Sequence, residues 1–195
     1  MGRRIVVIDG HPDPDPKRFG HALAAAYVEG ATEAGHEVRR IELATLEFPL
    51  LRTGADFRSR VPPPSIRACQ ESLAWAQHWV ILYPLWLGSM PALLKAFFEQ
   101  VARPGYAFAE GRGRALPKKL LAGRSARVVV TMGMPGLFYR WYYRAHSLKS
   151  LERNILAFIG VSPVRASIVG AVDAIGIAAR ANHLTRLRRL GARAE

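Results

Sequence analysis

Three stretches of this sequence gather residue types that do chemistry rather than fill a core. The first runs from Asp9 to Gly20 and holds His11, Lys17, Arg18, Phe19 and Gly20 in a proline-rich loop that leads into a helix. A helix start offers free amide N–H groups and the positive end of its dipole, which together suit a phosphate. Lys17 and Arg18 add cationic charge beside it, and a guanidinium is well shaped to hold a phosphate. Asp13 and Asp15 oppose a phosphate unless they face away. His11 reads equally well as a loop histidine satisfied by backbone. The second stretch, Pro84-Leu85-Trp86-Leu87-Gly88, ends a short apolar run and offers a flat aromatic and a glycine. Plain core packing is the other reading of Trp86, but Pro84 and Gly88 beside it favour a loop. The third holds Thr131, Met132, Gly133 and Gly136, with Tyr139 close behind.

Other chemistries lack their residues. The six histidines do not cluster with carboxylates at metal-ligand spacing, so no metal is expected. There is no Gly-x-Ser-x-Gly elbow for a hydrolase. No Gly-x-Gly-x-x-Gly follows the first strand, which argues against a dedicated dinucleotide site. A nicotinamide cofactor would then have to share a pocket with whatever else binds. The single cysteine, Cys69, allows no intrachain disulfide and fits a reducing, cytoplasmic setting. No apolar run is long enough to span a bilayer, and Asp9 interrupts the first one too soon for a signal peptide.

The formal charge of +13 is unevenly spread. Residues 1–110 hold 12 basic and 12 acidic side chains, whereas residues 111–195 hold 16 basic and 3 acidic. A basic half can mark an anionic partner. No nucleic-acid motif accompanies it and the arginines fall between apolar positions, so a solvated face or attraction for anionic dinucleotides fits better, and no nucleic acid is expected.

The elements that must position the three stretches follow from periodicity. Apolar runs at Arg3–Ile8, Trp79–Leu82, Ser125–Met132 and Val164–Val169 read as strands, and the more polar His36–Leu43 reads as an edge strand. Helical spacing starts at Phe19, around Ile66, at Pro91, in two patches between Phe138 and Ile159, and between Asp173 and Leu190. Residues 52–64 read as a polar connection and 105–123 as an exposed excursion. Five strands alternating with helices predict one α/β domain over residues 1–195, a parallel sheet covered on both faces. The chemical stretches fall at carboxyl ends of strands, where such sheets bind ligands.

The second stretch and its helix carry a resemblance. Pro84, Trp86, Gly88, Pro91-Ala92-Leu93-Leu94-Lys95, Gly105 and Phe108 resemble the P-x-x-W/F-x-G, P-A-x-L-K and G-x-A-F/Y run of the flavodoxin-like NAD(P)H:quinone oxidoreductases, the DT-diaphorase family. His11-Pro12 and Phe19-Gly20-His21-Ala22-Leu23 resemble the family's first loop, with Arg18 where a serine is usual and extra residues at 13–16. Thr131, Gly133, Gly136 and Tyr139 keep the register of its T-T-G-G-x-G-x-x-Y, with Met132 and Met134 departing from it. The resemblance runs from the first strand to about Asn154. It implies a flavodoxin-like three-layer sandwich with strand order 2-1-3-4-5, and non-covalent FMN or FAD. NADH or NADPH would be co-substrate, a quinone-like molecule the acceptor, and turnover ping-pong.

The resemblance also implies that residues 84–88 face the isoalloxazine and that Tyr139 and His146 steady negative charge at the flavin edge, His146 standing one residue out of register. It further implies a homodimer in which partner aromatics cover each flavin, with Tyr106, Phe108, Trp141 and Tyr142 as candidates. The same aromatics read alternatively as packed into their own domain. A second functional reading is a flavin-bearing regulatory partner of an ion antiporter. A third, a flavodoxin electron carrier, fits poorly because such carriers are usually acidic.

Overall fold

The computed structural model describes residues 2–111 and 116–195. The chain opens with β1 (Arg4–Asp9), α1 (Phe19–Glu33), β2 (Glu37–Glu42), α2 (Gly54–Arg58), α3 (Pro64–Trp75), β3 (His78–Pro84) and α4 (Ala92–Val101). It continues through β4 (Phe108–Ala109), β5 (Lys118–Lys119), β6 (Ser125–Thr131), α5 (Gly136–Trp141) and α6 (His146–Ser150). A π-helical stretch (Leu151–Leu156) runs into α7 (Ala157–Ile159), and β7 (Val164–Val169) and α8 (Ile177–Ala192) close the chain.

Five strands pair in parallel in the order β2-β1-β3-β6-β7, and β4 and β5 make a separate two-stranded ribbon. The order is the expected flavodoxin-like one, because β6 and β7 are the fourth and fifth strands of the main sheet. The central strands are apolar on both faces because helices cover both. Val6, Ile8, Trp79, Ile81, Tyr83, Val128 and Val130 point into a core under α3, α4 and the helices after β6. Ile5, Val7, Val80, Leu82 and Val129 point into a second core under α1 and α8. Alternation along each strand supplies both cores from the same residues' neighbours. The two covering helices of the second core touch at glycines: a Cβ on Gly30 would lie 2.0 Å from the Arg188 carbonyl oxygen, and one on Gly191 would lie 2.1 Å from that of Tyr27.

Two expectations need correcting. Residues 52–64 contain a short helix, α2, set by a capping box in which Thr53 and Asp56 exchange bonds. β3 runs past Leu82 and ends at Pro84, which pairs with Thr131, and the Leu85 N–H donates to the Thr131 carbonyl at 2.7 Å. A terminal proline needs no ladder donor of its own. Part of the 105–123 excursion, residues 112–115, lies outside the described residues. No helix among the described residues is long and apolar enough to cross a membrane.

Candidate functional site

The carboxyl ends of β1, β3, β6 and β7 lie side by side, and the loops leaving them are sewn together by backbone bonds. Gly10 N–H donates to the Leu82 carbonyl at 2.7 Å, Leu85 N–H to Thr131, and Val172 N–H to Met132 at 3.1 Å. These loops enclose a cavity of about 390 Å³, within the usual range for a small-molecule site.

The loop after β1 is built by a repeat that its sequence explains. Asp9 Oδ1 accepts from His11 N–H (3.3 Å), His11 Nδ1 from Asp13 N–H (3.1 Å), Asp13 Oδ1 from Asp15 N–H (2.9 Å), and Asp15 Oδ1 from Lys17 N–H (3.0 Å). Each side chain thus holds the amide two residues on, the habit that makes aspartate a turn former. The residues between, Pro12, Pro14 and Pro16, have no N–H to satisfy. Arg18 N–H goes to the Asp15 carbonyl. Arg18 gives α1 no side-chain cap, and the first amides without an acceptor among the described residues are those of Phe19 and Gly20, at the cavity wall. Backbone donors left over at a helix start are what a phosphate takes up.

Beneath this loop His21 bridges two acceptors. Its Nδ1 lies 2.6 Å from Asp9 Oδ2 and its Nε2 lies 2.8 Å from the Asp13 carbonyl oxygen. Both nitrogens face acceptors, an arrangement that favours the imidazolium. Burial alone would lower its pKa, but the hydrogen bonds to Asp9 and Asp13 outweigh that and raise it above 6.5. His11, whose ring centroid is 5.1 Å away, goes the other way. Burial first, and the charge on His21 second, lower its pKa. His11 is therefore neutral at physiological pH. Its Nδ1 is occupied as an acceptor, which leaves the proton on Nε2 as a donor at the cavity.

Arg18 is the first correction. It lines the cavity, but its guanidinium is already bonded to Asp13 Oδ2, with Nε at 2.7 Å and Nη2 at 2.6 Å. The aspartates therefore restrain the loop and occupy Arg18 rather than facing a phosphate. An unforeseen cation stands nearby. Arg180 of α8 lines the cavity with its guanidinium 4.9 Å from the Phe19 ring and Nη2 bonded to the Val172 carbonyl. Val172 and Asp173 complete this wall. The signal for them was the loop after the fifth sheet strand, another carboxyl end at the same edge.

Pro84, Leu85 and Trp86 form a further part of the wall, with Trp86 edge-on to His11 at 6.2 Å. Trp86 and Ser89 exchange two backbone bonds of 2.9 Å around Leu87 and Gly88, whose φ values are 45° and 76°. Two positive φ values in succession make this a tight reverse turn, unusual for a leucine. It carries Leu87 and Gly88 past the cavity, so that Leu87 is fully solvent-exposed. Thr131, Met132 and Gly133 line the cavity floor, and a Cβ on Gly133 would fall 2.8 Å from Asp173 Oδ2. Gly136 stands apart, packed at the crossing of its loop with Gly170.

The pair implied to be catalytic is not at the cavity. Tyr139 is 1 % exposed. Its hydroxyl bonds to Ser147 Oγ at 2.7 Å and accepts from Leu148 N–H at 3.2 Å, tying α5 to α6. His146 is exposed at the start of α6 and does not line the cavity. Its place in α5 puts the Tyr139 hydroxyl against Ser147. Of the four aromatics considered for an interface, Tyr106 and Phe108 turn inward. Tyr106 OH donates to the Gln70 carbonyl at 2.6 Å, and Phe108 packs edge-on to Phe158 at 5.1 Å. Trp141 and Tyr142 are 83 % and 71 % exposed, and Tyr142 stacks on Phe138 at 4.9 Å. No group of three or more potential metal ligands occurs among the described residues.

Comparison with known proteins agrees with this architecture. A family model described as flavodoxin-like fold matches residues 3–191. The ribosyldihydronicotinamide dehydrogenase-like protein traD of Penicillium crustosum is 27 % identical over 180 residues, 78 % of this chain; the chain spans 64 % of that protein's length. An FMN-dependent NADH:quinone oxidoreductase of Haemophilus influenzae strain PittEE is 30 % identical over 153 residues, covering 72 % of this chain and 73 % of that one. The solved NAD(P)H:quinone oxidoreductase of Methanothermobacter marburgensis superposes with a TM-score of 0.83 at 23 % identity, covering all of both chains. The chain belongs to the flavodoxin-like family that this model describes.

Proposed function

We propose that this protein is an FMN-dependent NAD(P)H:quinone oxidoreductase and that the cavity at the carboxyl edge of the sheet is its FMN site. The observation that carries the reading is the mixed lining of that cavity. Unpaired amides at a helix start, with cations beside them, share it with an apolar, aromatic wall. A molecule with a phosphate at one end and a flat ring at the other fits that arrangement, and the relative from Haemophilus influenzae is named for FMN and quinone.

FMN, when bound, supplies the hydride chemistry between NAD(P)H and the quinone. The chain supplies position and charge. Phe19 and Gly20 offer their amides to the phosphate, His11 donates from Nε2, and Lys17 and Arg180 balance its charge. Leu85 and Trp86 give the ring a wall on one side. Thr131, Met132 and Gly133 form the floor. The nicotinamide and the acceptor use the open side in turn, so turnover is ping-pong. Tyr139 serves the α5–α6 junction instead of the flavin edge.

The working unit in this reading is a homodimer of single-domain chains in the cytoplasm. Trp86, Leu87, Phe138, Trp141 and Tyr142 are exposed apolar side chains on loops and short helices after β3 and β6. Exposed apolar groups of this size usually mark an interface, and a second chain would close the open side of the ring.

The test is to purify the protein, release the bound cofactor by denaturation, identify it by mass, and follow oxidation of NADH and NADPH with menadione as acceptor. FMN in stoichiometric amount with menadione-dependent turnover is expected. Protein that takes up no flavin contradicts the site, and flavin-loaded protein without turnover contradicts the activity and favours a regulatory role. Sedimentation at micromolar concentration reads the dimer separately.

A further inference from the structure

The basic surplus of the second half of the chain has no role at the FMN cavity beyond Arg180. Arg165 and Arg193, with Arg127 behind them, lie beside Arg3 at the other edge of the sheet. There, under the amino ends of β1, β3, β6 and β7, lies a second cavity of about 370 Å³. It is roughly 20 Å from the first, the length of a six-residue strand. Arg3, Arg165 and Arg193 line it, together with the acidic Glu195. Arg165 Nη1 meets Glu195 Oε2 at 3.2 Å, and Arg3 donates to the Ala194 carbonyl at 3.0 Å. A fourth guanidinium, that of Arg127, lies behind, bonded to the Glu195 carbonyl and to Ser167.

The cavity wall holds a group with an unmet need. His78 is 3 % exposed, and its Nδ1 is 2.8 Å from Ser125 Oγ. Its Nε2 is buried with no partner among the described residues. Burial, and then the charges of Arg3, Arg127 and Arg165, push its pKa down to about 3. The positive charge of these arginines is thus felt by a neighbouring side chain. A surface with several close guanidinium groups recognises oxyanions, phosphate above all, through paired N–H bonds.

We propose that this cavity is a second anion site, taking a phosphate-type oxyanion, free or carried on a small molecule, between Arg3, Arg165 and Arg193. Binding there joins the start of β1, β7 and the segment after α8. The site is independent of the flavin reading, since it shares no residue with the FMN cavity.

The test uses the flavin-loaded protein with its histidines observed by NMR at pH 7. Inorganic phosphate, pyrophosphate and ADP are added in separate arms, and sodium chloride at matched ionic strength is the control. A saturable shift of the His78 ring signals, with a rise in melting temperature, is expected in at least one arm. Saturation by phosphate alone identifies the free anion, and saturation only by ADP identifies a phosphorylated small molecule. The double variant Arg165→Gln/Arg193→Gln should bind at least about tenfold more weakly, the equivalent of one charge-assisted contact. Shifts no larger than those with chloride, or equal binding by the double variant, overturn the proposal. If the variant does not fold, the wild-type titration against chloride decides alone.

Discussion

In the loop between β1 and α1 every amide N–H from Gly10 to Arg18 has an acceptor, most of them on side chains two residues back. The loop is restrained again from below by His21. In the turn after β3 a leucine sits at a left-handed φ of 45° with its side chain in solvent, beside a tryptophan that is 49 % exposed. The first loop is preorganised by its own side chains, whereas the second carries a strained residue and bare apolar surface.

The comparison breaks most readily at Asp9, which anchors both the loop and His21. Asp9→Ala leaves the His21 imidazolium without its counter-charge and His11 N–H without an acceptor. Losing one partner of a largely buried pair costs about 3 kcal/mol, and urea unfolding should show it together with loss of bound flavin. Wild-type stability would mean that the loop is held elsewhere.

Tyr139→Phe probes the junction of α5 and α6. It removes the bonds to Ser147 and Leu148, for a loss of about 1–2 kcal/mol of stability. Stopped-flow reduction by NADH should proceed at the wild-type rate. A slowed reduction with intact stability would return Tyr139 to the flavin edge.

The His21 clamp gives the first loop a pH dependence. His21 has a folded pKa raised above its ordinary value of 6.5. Its stabilising contribution is full below 6.5 and is lost as pH rises through the raised value. Flavin affinity should therefore weaken across that alkaline limb. His21→Gln, which does not titrate, should bind about 1 kcal/mol more weakly at neutral pH and show a flatter profile. Identical pH profiles for the two proteins would remove the clamp from the account.

The smallest effect belongs to Arg18. Its guanidinium is half-exposed and already paired with Asp13, and such surface pairs are worth about 0–1 kcal/mol. Arg18→Ala should change flavin affinity by no more than that in an equilibrium titration. A larger loss would show that Arg18 leaves Asp13 for the phosphate.

What could be read from the sequence was set by how local each signal is. The main-sheet strands announced themselves because burial on both faces forces continuous apolar runs, as in Val80-Ile81-Leu82. The loops at 9–20, 84–88 and 131–136 stood out because proline, glycine and charge interrupt those runs. The Asp9–His21 bridge was hidden because it joins residues twelve apart, brought together only when the proline loop folds back over α1. Arg180 was missed because it lies far along the chain, on a helix whose pattern reads as an ordinary solvated face. Tyr139 shows another case: the motif names the residue, while the packing of α5 on α6 decides what its hydroxyl meets.

The central claim is that the phosphate of FMN sits on the start of α1 and its ring against Trp86. Backbone and indole NMR of the flavin-free protein titrated with FMN tests it most directly. The account predicts the largest shifts at the amides of Phe19 and Gly20 and at the Trp86 indole N–H, saturating together at one equivalent. Saturating FMN that leaves those three signals unmoved would contradict it.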